Sequence, residues 1–123
     1  MFEIEITRTF SAAHQLRGYD GACANLHGHN YKVTVTVRTG ELDQIGIALD
    51  FKQLKAALDE LLERFDHRNL SELPEFREVN PTSEVLARTI YRKMGEKMNG
   101  GPIKVCRVRV GESDNSAVTY LED

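Results

Sequence analysis

No apolar run in this sequence approaches the roughly twenty residues that a membrane-crossing helix needs, so no membrane partner is expected. Positive charge is not in excess either. The formal net charge is -3, which argues against a surface built for nucleic acid. Cysteine is scarce: two thiols, Cys23 and Cys106, do not make a disulfide framework. The first residues, Met1 to Thr7, alternate from the second on and contain no signal-peptide apolar core. Together these features lead to the expectation of a cytoplasmic protein. Repeats, low-complexity tracts and linkers are missing as well. The 123 residues are therefore expected to form a single domain, 1–123.

What the chain does have is patterning. Phe2, Ile4, Ile6, Phe10 and Ala12 share one phase of a period-two alternation, which predicts a strand over 2–14 with His14 on its apolar side. Residues 15–26 hold Gly18, Asp20, Gly21 and Asn25 and read as a loop that carries Cys23. A second strand is predicted over 27–39, with His27 and His29 in phase with Tyr31, Val33, Val35 and Val37. Asp50 is expected to cap a helix, with Gln53 at the capping-box position and Phe51, Leu54, Leu58, Leu61, Leu62 and Phe65 as its apolar stripe. Asn80-Pro81 is expected to open a second helix, Asn80 as the cap. Its stripe is Val85, Leu86, Ile90, Met94 and Met98, and Gly100-Gly101-Pro102 closes it. A third strand is expected over 103–112, with Cys106, Val108 and Val110 on one face and Glu112 continuing that phase. A short fourth strand follows over 117–121. The order ββααββ predicts an α+β fold: a four-stranded antiparallel sheet with two helices on one face.

The chemistry concentrates in Cys23-Ala-Asn-Leu-His27-Gly-His29. Imidazoles at i and i+2 point the same way only on extended backbone. His14 falls on the matching phase of the preceding strand, so pairing of the two strands would gather three imidazoles. Catalytic zinc takes three protein ligands and keeps one position open. Cys23 has three readings: a fourth ligand that closes the site, a base or nucleophile activated by a nearby cation, or a small thiol with no role. Asp66-His67 after the first helix reads as a carboxylate-oriented base, or as solvated residues at a helix end. Glu112 is a carboxylate at a strand end. It suits a guanidine-like pair of donors, or an arginine of the chain itself.

Five motifs occur in order: Phe10-Ser-Ala-Ala-His14, Cys23-x3-His27-Gly-His29-Asn-Tyr, Asp66-His67, Asn80-Pro-Thr-Ser-Glu84 and Gly111-Glu112-Ser113. Together they resemble the 6-pyruvoyl-tetrahydropterin synthase family over nearly the whole chain, and within it the bacterial 6-carboxy-tetrahydropterin synthase branch. The three-residue gap between Cys23 and His27 is what resembles that branch; the animal pyruvoyl-forming enzymes tend to have a longer one. The resemblance implies a T-fold with Zn2+ on His14, His27 and His29. It implies Cys23 as proton acceptor, relayed through Asp66 and His67. Glu112 is implied to anchor the amino-pyrimidinone edge of a pterin, with Thr82 and Ser83 as a hydroxyl pair near the same pocket. A homohexamer with active sites at subunit interfaces is implied as well. The implied substrate is 7,8-dihydroneopterin triphosphate, and the implied product 6-carboxy-tetrahydropterin. The alternatives are 6-pyruvoyl-tetrahydropterin formation and a non-catalytic pterin-binding module. A cupin-type oxygenase is set aside, since Asn30 to Val37 contains no acid.

Overall fold

Period-two alternation builds the two longest elements of the computed structural model, which describes residues 1–122, the side chain of Cys23 excepted. Strand β1 (Phe2–His14) and strand β2 (His27–Thr39) pair antiparallel over their full length, from Phe2 opposite Thr39 to His14 opposite His27. Ile4, Ile6, Phe10, Ala12, Tyr31, Val33, Val35 and Val37 line the buried face. Each fully buried valine there contributes about 1.5–3 kcal/mol relative to exposure.

Helix α1 (Phe51–Leu62) and helix α2 (Ser83–Met98) cover that face. In α1 the stripe is Leu54, Leu58, Leu61 and Leu62, continued by Phe65; Phe51, expected in the stripe, is 57% exposed. Asp50 caps α1 by accepting from the Lys52 N–H at 2.9 Å rather than from Gln53. The start of α2 differs from expectation by two residues. Thr82, not Asn80, is the cap, and its hydroxyl accepts from the Val85 N–H at 3.1 Å. Asn80 cannot cap because its amide is already bonded to Arg17. The core face of α2 is Leu86, Ala87, Ile90, Tyr91 and Met94; Val85 and Met98 are only partly buried against it.

The sheet has five strands, not four, and is mixed, not antiparallel. A two-residue strand, β3 (Arg68–Asn69), runs parallel to β1 and pairs Arg68 with Ala12 and Asn69 with Ala13. The turn after α1 is tied to β1 at Ser11 through Asp66 and His67, and this lays the next two residues alongside it. Two residues are too short to show a period. With β4 (Lys104–Ser113) and β5 (Ser116–Tyr120), the order across the sheet is β3-β1-β2-β4-β5. A bulge in β4 puts Arg107 opposite Thr36 and Val105 opposite Val37, leaving Cys106 as the extra residue. The expected Cys106, Val108 and Val110 face is thereby broken. Val105 is fully buried, while Cys106 is half-buried and donates to the Thr36 carbonyl at 3.4 Å. No helix among the described residues is long and apolar enough to cross a membrane.

Candidate metal centre

The register of β1 on β2 assembles the three imidazoles. His14 stands directly opposite His27, and Ala12 stands opposite His29, two residues further along the same face. Because side chains two apart share a face of a strand, all three rings project to one side. Their centroids form a near-equilateral triangle of 4.6, 4.9 and 5.2 Å. Candidate ligand atoms of the three lie within 4.8 Å of one another.

The hydrogen bonds show which nitrogens are available. His14 Nδ1 lies 2.8 Å from the Pro81 carbonyl oxygen, and His27 Nδ1 lies 2.7 Å from that of Asn25. A carbonyl only accepts, so each Nδ1 carries the proton. Each neutral ring then has a bare lone pair on Nε2. Those two Nε2 atoms face each other at 3.0 Å. Two lone pairs at that distance repel unless a cation lies between them. His29 Nε2 is buried and has no hydrogen-bond partner among the described residues. Three imidazoles gathered at one point, two of them turned there by backbone carbonyls, are a donor set that fits a metal ion.

His14 is fully buried, and burial lowers its proton affinity. The Pro81 carbonyl and the charge of Glu112 act in the opposite direction, the other two imidazoles with the burial, and the net shift is downward. The ring is thus kept neutral, the form that binds a metal. Tyr31, two residues after His29 on the same face, places its hydroxyl 3.2 Å from His14 Nδ1 and its ring 5.4 Å from that of His29. Burial, then the Glu112 charge, raises its proton affinity. Glu112 occupies the bulge between the Gly111 and Ser113 pairings with β5 and is half-buried. Its charge acts on both His14 and Tyr31, raising the proton affinity of each.

Asp66 and His67 lie in the turn between α1 and β3. Asp66 Oδ1 accepts from the Ser11 N–H at 2.9 Å and stands 3.0 Å from His67 Nδ1. Its proton affinity is lowered, first by the Ser11 amide and then by the His67 contacts. His67 adopts φ 59, a left-handed conformation uncommon outside glycine, held by its N–H donating to the Ser11 carbonyl at 2.6 Å. The ring is 81% exposed. It borders a groove of about 510 Å³ with Ser11, Ala13, Asn30 and His29. The pair thus sits at the β3 side of β1, across that strand from His27 and His29 on β2.

Cys23 lies in a 3-10 turn, Ala22–Ala24, and its side chain is outside the described residues. Thr82 is the α2 cap. Ser83 is the first residue of the helix, with its Oγ buried and without a partner among the described residues. Sequence reasoning missed the carbonyls of Asn25 and Pro81, which every residue has and which leave no signal. It also missed the Tyr31 hydroxyl, although the phase of Tyr31 with His27 and His29 could have indicated it.

Comparison with known proteins identifies the family of the chain. Residues 3–123 match the family model described as 6-pyruvoyl tetrahydropterin synthase. A Synechocystis protein named 6-carboxy-5,6,7,8-tetrahydropterin synthase is 36% identical over 118 residues, covering 92% of this chain and 88% of its own. Human 6-pyruvoyl tetrahydrobiopterin synthase is 35% identical over 127 residues, covering 91% and 86%. The solved structure of Caenorhabditis elegans 6-pyruvoyl tetrahydropterin synthase, 30% identical, matches with a TM-score of 0.87 over 99% of this chain and 96% of that one.

Proposed function

The chain belongs to the 6-pyruvoyl tetrahydropterin synthase family, and from that premise we propose that it is a zinc-dependent 6-carboxy-5,6,7,8-tetrahydropterin synthase. The reaction converts 7,8-dihydroneopterin triphosphate to 6-carboxy-tetrahydropterin with loss of acetaldehyde and triphosphate, as a step of 7-deazaguanine (queuosine) biosynthesis. The observation that carries the reading is the convergence of three imidazoles, two with Nδ1 tied back to a carbonyl.

His14, His27 and His29 would hold the zinc, which supplies Lewis-acid polarisation of the substrate's side-chain hydroxyls. Everything else falls to the chain. Cys23 accepts a proton from the substrate side chain, and a thiol close to cationic groups is the side chain suited to do so. Asp66 fixes the His67 ring through Nδ1 and leaves Nε2 to carry a second proton. The Glu112 carboxylate accepts the two parallel N–H groups of the amino-pyrimidinone edge, a charge-assisted pair that fixes orientation. Ser83 Oγ, with Thr82 beside it at the start of α2, supplies the hydroxyl contact to the pterin.

The position of Asp66 and His67 on the β3 side of β1 supports a site completed between copies of the chain. So do the sheet edges. Among the described residues, β1 has no strand on its outer side apart from that at Ala12 and Ala13, and β5 has none. Such edges carry unpaired N–H and C=O groups that a second copy would satisfy. A homohexamer with shared sites fits both features.

Product analysis is the deciding test. Acetaldehyde released from 7,8-dihydroneopterin triphosphate with one 6-carboxy product supports the assignment. A 6-pyruvoyl product without acetaldehyde would move the chain to the activity named for its human relative. Zinc and pterin binding with no turnover would make it a binding module.

A further inference from the structure

Residues 15–26 connect two metal-centre histidines, His14 and His27, and carry Cys23 between them. This connection is held at three points. At its start, the Gln15 N–H donates to Ser71 Oγ at 3.1 Å, and the Ser71 hydroxyl lies 3.2 Å from the Gln15 carbonyl. At its end, the Asn25 carbonyl accepts from His27 Nδ1. Between them lies the largest anchor. The Arg17 N–H donates to Asn80 Oδ1 at 2.9 Å, and Asn80 Nδ2 donates back to the Arg17 carbonyl at 2.8 Å. Arg17 Nε reaches the same Oδ1 at 3.2 Å. Its Nη2 donates to the Phe76 carbonyl at 2.6 Å and to that of Val79 at 3.0 Å.

Asn80 spends both ends of its amide on the backbone of one residue, as a strand neighbour would. That pairing accepts only one register of the connection. It is not needed to start α2, because Thr82 already does so. The residue between them is Pro81, whose carbonyl accepts from His14 Nδ1. Proline fixes its own φ and restricts the residue before it. The direction of the Asn80 amide and the direction of the Pro81 carbonyl are therefore rigidly related. Three consecutive residues hold the Cys23 connection, a metal-centre imidazole and a helix start. Between Arg17 and the Ala22–Ala24 turn stand Gly18 (φ 78) and Gly21 (φ 135), glycines in left-handed backbone that bring no stiffness of their own. The anchor at Arg17 must supply it.

We propose that Asn80 and Arg17 are positioning residues, whose clasp sets where the Cys23 backbone stands relative to His14. The proposal rests on the reading of Cys23 as the proton acceptor. Neither residue touches the reacting atoms.

The test uses the zinc-loaded full chain with Asn80→Ala and Asn80→Asp. Iodoacetamide alkylation of Cys23 is followed by peptide mass mapping across neutral to alkaline pH, with Cys106 in the same sample as internal reference. Zinc content, kcat and KM are measured alongside. Asn80→Ala is expected to keep its zinc, to lower kcat about 10- to 100-fold with KM held, and to change the pH profile of alkylation at Cys23 alone. Asn80→Asp keeps the acceptor and loses the donor, so a smaller change in the same direction is expected. An unchanged Cys23 profile in folded, zinc-loaded Asn80→Ala would overturn the proposal. So would an equal change at Cys106, which would mean general loosening. If Asn80→Ala does not fold, Arg17→Lys, which keeps the backbone pair and loses the guanidinium fork, is judged by the same two outcomes. Full turnover by Cys23→Ser would remove the proposed role of Cys23 and leave the alkylation result standing as a separate finding.

Discussion

The two ends of the β1–β2 ladder carry polar clusters of opposite character. At the far end, Glu3 accepts from Arg38 at 2.7 Å and from Arg107, all on the polar face of the sheet. The two guanidiniums, Arg107 first, pull the Glu3 carboxyl down to about 2. Every charge there is answered by the chain itself. At the near end, His14, His27 and His29 lie on the apolar face, and among the described residues their Nε2 atoms are answered by nothing except one another. The same pair of strands thus makes one cluster that is complete and one that is a receptor. A burial cost left uncompensated among the described residues is the sign of a ligand, and this contrast marks the candidate centre without reference to any relative.

Four substitutions break or sharpen the contrast. The largest effect is expected at the receptor end. His29→Ala should reduce zinc, measured by atomic spectroscopy, to near zero; a full complement in that variant would break the comparison outright. Next, Cys23→Ala should keep the zinc and lose about 10²–10⁴-fold in turnover, the usual reach of a proton-transfer residue. Loss of zinc instead would make Cys23 a fourth ligand. Third, Glu112→Gln removes the charged acceptor proposed for the pterin edge. At about 1.5–3 kcal/mol for a hydrogen bond to a charged group, kcat/KM should fall about 10- to 150-fold with zinc retained. An unaltered kcat/KM would assign Glu112 to structure.

The smallest effect is expected at the complete end. A carboxyl held below its ordinary value stabilises the fold above that value, and the contribution is lost as pH falls through the lowered one. For Glu3 the window runs from about 4.5 down to about 2. Glu3→Gln should therefore lower Tm slightly at pH 7, with the gap from the parent closing across that window and turnover unchanged. A gap independent of pH would show that the cluster acts through packing. Because the side chains of Glu3, Arg38 and Arg107 are each more than a third exposed, the effect stays small.

The legible parts of the molecule were those carried by a repeat or a spacing. Thirteen-residue strands at both β1 and β2 repeat the alternation often enough to define their bounds, and the same alternation placed all three histidines on one face. The α1 stripe was legible from Leu54 onward for the same reason. What failed was short or competitive. β3 has two residues and no period to read. The bulge at Cys106 inverts a phase that the sequence continues smoothly. Asn80-Pro81 has the composition of a helix start, but Arg17, 63 residues away, takes the amide first.

The sequence by itself determined which residues can be ligands, their phase on the strands and the family, because these depend on residue identity and local periodicity. Only the tertiary structure decided that the imidazoles form a triangle, and which of their nitrogens face inward. Register across two strands, and carbonyls of Asn25 and Pro81 reaching the rings from loops, are contacts between distant or featureless backbone, and no local pattern encodes them.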